Sequence, residues 1–93
     1  MRSCKRIKVK IYGRVQGVGF RYSVYLLAKS LGIKGWVRNC EDGTVEAIFE
    51  GYLSKVEEMI KFCKKGPPLA KVERIEIKEE NCKNEFENFE IRF

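Results

Sequence analysis

The order in which strand and helix patterns follow one another constrains the fold of this chain more than any other feature. Apolar residues alternate at Ile7, Val9 and Ile11, which predicts a strand with one face in solvent. They recur at helical spacing from residue 20 to residue 31, and Gly32 follows where a helix-ending glycine belongs. The same change of period, from strand to helix, occurs again in the second half of the chain.

The second half begins with a hairpin, because Asp42-Gly43 is a common tight-turn pair. Ser54 to Glu57 has the spacing of a capping box, which predicts the start of a second helix, and Gly66 with the prolines behind it predicts its end. The alternation near residue 75 is imperfect, as in a bulged strand. Four further strands are predicted: the second over residues 33–40, the third over 45–50, the fourth over 72–77 and a short last one over 89–93.

This β-α-β-β-α-β order, with one added strand, predicts an α+β protein of the ferredoxin-like type. We expect a two-layer sandwich in which an antiparallel sheet carries two helices on one face. With 93 residues the chain is too short for two domains, so residues 1–93 are expected to form one.

The topology brings two polar segments together. In a split βαβ unit the first two strands are parallel, so both end at the same edge of the sheet. The first strand ends at Gly13 and the second near Asn39. Asn39 shares the phase of Val37, which should face the helices, so its amide is expected beside the loop after the first strand. An ordinary strand-end asparagine is the alternative.

That loop is rich in glycine and is followed by an arginine, in the stretch "GRVQGVGFRY". Glycines at Gly13, Gly17 and Gly19 allow backbone N–H groups to converge on an anion, and the start of the next helix adds more. Arg21 would supply a guanidinium suited to phosphate oxygens. The alternatives are a tight strand–helix turn and a surface arginine. The motifs G-x-x-x-x-G-K-S/T and G-x-G-x-x-G are absent, which excludes the usual nucleotide loops.

Composition narrows the function further. The 19 basic and 13 acidic residues give a net charge of +6, which serves solubility or attracts anions, and the basic residues are dispersed. The absence of histidine removes the commonest general base, and without a CxxC pair a structural zinc site is not expected. No metal or cofactor is therefore predicted.

Four cysteines, Cys4, Cys40, Cys63 and Cys82, allow one or two disulfides, and the pairing is left open. Cys63 lies on the apolar stripe of the second helix and is expected to be a core thiol. The sequence has no signal-peptide pattern and no apolar run long enough for a membrane helix, which predicts a cytoplasmic protein without a membrane partner.

The loop also resembles a family signature. "GRVQGVGFR" is similar to the acylphosphatase motif Gly-x-Val-Gln-Gly-Val-x-Phe-Arg, and residues 35–47 and 66–76 resemble two further family segments. The motif is matched at Gly13, Val15, Gln16, Gly17, Val18, Phe20 and Arg21. The resemblance covers nearly the whole chain and implies the ferredoxin-like fold.

The resemblance further implies hydrolysis of acyl phosphates to a carboxylate and inorganic phosphate, which would be product and inhibitor. It implies a metal-free reaction without a covalent intermediate, in a monomer that needs no nucleic acid. Arg21 corresponds to the phosphate clamp, and Asn39 to the residue that holds the attacking water. The implied phosphate-binding backbone runs through Val15, Gln16, Gly17, Val18, Gly19 and Phe20.

Three other functions are weighed against this one. An RNA-recognition module shares the element order, but it needs aromatic residues on the third strand, where Glu46, Ile48 and Glu50 face the open side. A catalytically idle or regulatory acylphosphatase-like domain, of the kind fused to larger carbamoyl-transfer proteins, is the second. A small anion-binding or structural protein without turnover is the third.

Overall fold

A computed structural model describes residues 3–93, so Met1 and Arg2 of the predicted domain lie outside the described residues. The elements are β1 (Cys4–Arg14), α1 (Phe20–Leu31), β2 (Lys34–Asn39), β3 (Val45–Tyr52), α2 (Leu53–Lys65), β4 (Lys71–Glu80) and β5 (Phe89–Arg92). The predicted ferredoxin-like α+β fold is confirmed.

The strands form one sheet in the order β4-β1-β3-β2-β5. Strand β3 lies between β1 and β2 and is antiparallel to both, so β1 and β2 are parallel and end at the same edge. Strand β5 pairs parallel with β2, which makes the sheet mixed rather than wholly antiparallel. The reason is that β4 and β5 lie at opposite edges, so residues 81–88 cross from one to the other.

The core lies between one face of the sheet and both helices. The inward residues predicted from the alternation of β1, Ile7, Val9 and Ile11, are all 0% exposed. They pack with apolar residues of the other strands and of the two helical stripes. The buried helix residues are Phe20, Val24, Ala28, Val56, Met59 and Cys63.

The start of α2 differs from the prediction. The helix begins at Leu53, directly after β3, and Tyr52 is the extended residue before it. Ser54 therefore lies inside the first turn, and the predicted capping box is wrong. The physical reason is that β3 runs two residues further than its alternation indicated and enters the helix without a loop.

The bulge expected in β4 is present where β1 ends. Tyr12 lies opposite Arg74 and Gly13 opposite Val72, so Glu73 is an extra residue in β4. Gly13 has φ 127°, and a Cβ there would collide with the carbonyl oxygen of Lys71. Only glycine fits this close approach, which directs the chain from the sheet into the following loop.

The sheet face opposite the helices is partly covered. Arg6 is 5% exposed, and its guanidinium lies 2.9 Å from a carboxylate oxygen of Glu80 and 2.6 Å from one of Glu85. The ring of Phe86 lies 5.0 Å from the guanidinium carbon. The three residues expected on an open face, Glu46, Ile48 and Glu50, are only 8%, 4% and 3% exposed. Residues 81–88 pass over Glu50, whose carboxylate accepts a hydrogen bond from Lys83 N.

A disulfide joins the start of β1 to this crossing segment. Cys4 and Cys82 are bonded, whereas Cys40 and Cys63 are free thiols. The bond closes a loop with a sequence separation of 78 residues, which restricts the unfolded chain strongly. Cys63 is fully buried, as predicted, and burial raises the pKa of its thiol to about 12.

We expect the double variant Cys4→Ser/Cys82→Ser to have a free energy of unfolding lower by about 2–4 kcal/mol. Urea unfolding followed by circular dichroism measures it. Because the disulfide lies at the far end of β1 from the glycine-rich loop, roughly 30 Å away, the conformation of that loop should not change. As a control, reductant should destabilise the parent protein by the same amount and leave the double variant unaffected. Equal midpoints for the oxidised and reduced parent would contradict the prediction.

Candidate active site

The loop between β1 and α1 adopts the backbone conformations that its glycines were expected to supply. Gly17 and Gly19 have φ 74° and 79°, in the left-handed region. No atom lies within 4 Å of a Cβ built at either residue, so the requirement is conformational rather than steric. Gly19 precedes α1, and its carbonyl accepts the first helical hydrogen bond, from Ser23 N. The N–H groups of residues 20–22 therefore have no acceptor within the helix.

The side chain of Gln16 fixes this loop to the β2–β3 hairpin. Its amide nitrogen donates to the carbonyl oxygens of Cys40, at 2.7 Å, and Thr44, at 2.9 Å. The amide nitrogen of Gln16 is therefore engaged in bracing the loop. The sequence signature contained Gln16, but nothing in its spacing showed this bracing role.

The hairpin that receives Gln16 is itself fixed by hydrogen bonds. A carboxylate oxygen of Asp42 accepts from the hydroxyl of Thr44, at 2.6 Å, and from its backbone N–H, at 3.1 Å. Lys10 lies 3.0 Å from the other carboxylate oxygen. The Thr44 hydroxyl and Lys10 hold the pKa of Asp42 well below its usual range. Asp42 is therefore ionised, and the hairpin stays braced, throughout the physiological pH range.

A cavity of about 190 Å³ lies where the loop, the start of α1 and the ends of β2 and β5 meet. Six of the residues predicted for the site line it, whereas Gln16 and Val18 do not. Val18 packs against the core instead. The lining residues are Val15, Gly17, Gly19, Phe20, Arg21, Tyr22, Asn39, Ile91 and Phe93.

Tyr22, Ile91 and Phe93 were not anticipated. The alternation of residues 89–93 predicted a strand but gave no information on which neighbour it would pair with. Pairing of β5 with β2, in which Ile91 lies opposite Val37, brings the end of β5 to the cavity.

Arg21 is a cation without a protein counter-ion. Within residues 3–93 its guanidinium makes no hydrogen bond or ion pair, and its contact is with the ring of Phe93, whose centroid lies 5.1 Å away. The first turn of α1 contains no acidic residue. Positive charge from Arg21 and from the helix N-terminus is thus left unneutralised at the cavity, which favours an anionic ligand.

Asn39 is the last residue of β2 and lines the same cavity. Its side-chain oxygen is buried and has no hydrogen-bond partner in the described part of the chain. Leaving a buried acceptor unpaired costs about 1–3 kcal/mol, and native proteins rarely do so without a reason. A polar group held at this position would satisfy it.

The side chains that could hold a metal lie elsewhere. Within the described residues Cys4, Glu50 and Cys82 bring ligand atoms within 4.8 Å of one another, at the opposite end of β1, where the two sulfurs are joined. Two larger cavities, each of about 520 Å³, lie near that disulfide and on the sheet face around Trp36, and neither contains Arg21 or Asn39. Neither of the two helices within residues 3–93 has the length and hydrophobicity that spanning a bilayer requires.

Comparison with known proteins gives a consistent result. A family model described as acylphosphatase matches residues 7–91. An acylphosphatase of Syntrophotalea carbinolica is 54% identical over 88 residues, which span 95% of this chain and 96% of the relative. The crystal structure of acylphosphatase from Bacillus subtilis is similar with a TM-score of 0.91 at 35% identity, covering 96% of this chain and 99% of that one. Full-length HypF, in a phosphate- and nucleotide-bound form, is similar with a TM-score of 0.86 at 27% identity, over 12% of its length.

Proposed function

The chain belongs to the acylphosphatase family and is an acyl phosphate hydrolase, and we propose that Arg21 and the backbone of residues 15–20 bind the phosphoryl group while Asn39 orients the attacking water. One observation carries these roles. An arginine without a counter-ion and a buried amide oxygen without a partner line the same small cavity.

The phosphoryl group would be bound by hydrogen-bond donors that are fixed before the substrate arrives. The left-handed residues Gly17 and Gly19 present backbone N–H groups, and the first turn of α1 presents more. Gln16 anchors these donors to the hairpin, so they need little reorganisation when charge develops on the equatorial oxygens. Arg21 adds a full positive charge and a planar guanidinium.

The water would be held by Asn39. Its amide can orient a water molecule but cannot accept its proton at neutral pH. We therefore propose that the proton passes to a phosphoryl oxygen of the substrate. A bond forms between the water oxygen and phosphorus, the bond from phosphorus to the carboxyl oxygen breaks, and the electron pair leaves with the carboxylate. Because a carboxylate is a good leaving group, positioning and charge stabilisation are sufficient.

The proposal extends to a monomeric cytoplasmic enzyme with inorganic phosphate as product and competitive inhibitor. An RNA-recognition role is disfavoured by the third strand, where Glu46 pairs with Arg38 at 2.7 Å and Glu50 is buried. A catalytically idle domain is disfavoured because Arg21 and Asn39 are both present and line the same cavity. Turnover separates the proposed enzyme from an anion-binding protein.

We expect the protein to hydrolyse benzoyl phosphate in the presence of a metal chelator, with inorganic phosphate as a competitive inhibitor. The disappearance of the substrate's ultraviolet absorbance measures the rate. The matched control is the spontaneous hydrolysis of benzoyl phosphate in the same buffer. Rates equal to this background, at enzyme concentrations that bind phosphate, would support the anion-binding alternative instead.

A further inference from the structure

We infer that Tyr22, Ile91 and Phe93 form the acyl-binding wall of the cavity and select acyl phosphates whose acyl group is apolar and compact, such as a single aromatic ring. This inference rests on the proposed function, because it concerns the half of the substrate that Arg21 and the loop do not bind. The three side chains carry no charge, and all line the cavity that contains Arg21 and Asn39.

The fold gives the cavity two chemically different walls. One wall consists of the loop backbone, Arg21 and Asn39, which provide hydrogen-bonding groups. The other wall consists of the uncharged side chains of Tyr22, Ile91 and Phe93. Strand β5 pairs parallel with β2, and the last pair is Arg38 with Arg92. Phe93 therefore lies beside the end of β2, next to Asn39. An acyl phosphate has the same division into an anionic half and an acyl half.

Two side chains of the apolar wall, Tyr22 and Phe93, are aromatic and yet exposed to solvent. Tyr22 is 60% exposed and Phe93 is fully exposed, so neither side chain is held there by core packing. The ring of Phe93 lies 5.1 Å from the guanidinium carbon of Arg21. A substrate whose phosphoryl group is bound by Arg21 therefore places its acyl group within reach of the ring.

The size of the cavity limits the acyl group. Its volume of about 190 Å³ lies below the roughly 300–1,000 Å³ of pockets that bind drug-sized ligands. That volume suits a phosphoryl group with one ring or a short branched chain. An acyl group with its own carboxylate or phosphate would place a second anion against three uncharged side chains, none of which offers it a counter-charge.

The test measures affinity and selectivity separately from turnover. Isothermal titration calorimetry with benzylphosphonate and methylphosphonate should give the aromatic ligand at least about tenfold tighter binding in the parent protein. The double variant Tyr22→Ala/Phe93→Ala should reduce this ratio to below about threefold. Its affinity for inorganic phosphate should change less than about threefold, because the loop and Arg21 are intact. Phe93→Tyr, which keeps a ring, should retain most of the selectivity.

The matched control is Leu69→Ala, since Leu69 is 73% exposed and does not line the cavity. It should leave the ratio of the two affinities unchanged. Equal affinities for the two phosphonates in the parent protein, or an unchanged ratio in the double variant, would overturn the inference. The inference would also be overturned if the double variant lost the ratio of phosphonate affinities but its kcat/KM fell equally for benzoyl and acetyl phosphate. Equal losses would mean that the substitutions disturb the whole site rather than the binding of the acyl group. A failure of the proposed function can be distinguished from a failure of this inference. It would appear as no turnover of either benzoyl or acetyl phosphate, and the ratio of phosphonate affinities would still test the acyl-binding wall.

Discussion

Replacing Arg21 with alanine is expected to lower kcat/KM for benzoyl phosphate by about 10³-fold or more and to remove measurable inhibition by inorganic phosphate. The guanidinium is the charged group at the cavity that has no counter-ion within residues 3–93, so no neighbour can take its place. Steady-state kinetics with benzoyl phosphate and phosphate titration measure the two effects. Arg21→Lys keeps the charge but not the two-pronged geometry, and should recover only part of the loss.

The same substitution should leave the fold intact or stabilise it slightly. Arg21 makes no hydrogen bond or ion pair among the described residues, and it places positive charge in the first turn of α1. Removing a cation from a helix N-terminus is favourable by about 0.3–1 kcal/mol, so the free energy of unfolding should not fall. A variant that is inactive yet at least as stable indicates that the arginine is kept for ligand binding at some cost to the helix.

The matched control is Arg14→Ala, since Arg14 is an exposed arginine at the end of β1 that does not line the cavity. It lowers the net charge by the same amount, and its effect on kcat/KM should stay within about threefold, because exposed charges act weakly through solvent. Comparable losses in the Arg14 and Arg21 variants would mean that overall charge, rather than the site, determines activity.

The helices, the strands and the pairing of elements that follow one another along the chain could be predicted from the sequence. The period of each segment identified both helices and all the strands, and the phase of β2 correctly directed Asn39 toward the loop. The φ values of Gly17 and Gly19 agree with the conformational argument made from their spacing. These features depend on local backbone preference and on the topology of one βαβ unit, both of which leave a sequence pattern.

Three features that could not be predicted from the sequence depend on residues 81–93. A strand as short as β5 carries no information about its neighbour, so its parallel pairing with β2, and with it the apolar wall, was not foreseen. The burial of Glu50 was not foreseen either. Alternation places Glu50 on the face of β3 that points to solvent, but residues 81–88 cover it. The pairing of Cys4 with Cys82 arises from that crossing too.

Replacing Asn39 with alanine is expected to reduce kcat by about 10²–10³-fold while the inhibition constant for inorganic phosphate changes less than about threefold. The Asn39 side chain lines the cavity, and its amide oxygen has no hydrogen-bond partner within residues 3–93. Because Arg21 and the loop backbone are proposed to bind the phosphate, the substitution should lower turnover rather than phosphate affinity. Kinetics with benzoyl phosphate and phosphate titration on one preparation measure both quantities.

Stability provides an independent check on the role of Asn39. Because its buried side-chain oxygen has no partner within residues 3–93, truncation removes an unsatisfied acceptor and should leave the free energy of unfolding unchanged or raise it by about 1 kcal/mol. Asn39→Asp is the informative companion variant, since a carboxylate beside the phosphoryl group should weaken phosphate binding as well as turnover. A kcat within threefold of the parent for Asn39→Ala would show that the water is positioned by another group. A large loss of stability would show instead that the amide supports the fold, and the fall in kcat would then say nothing about water.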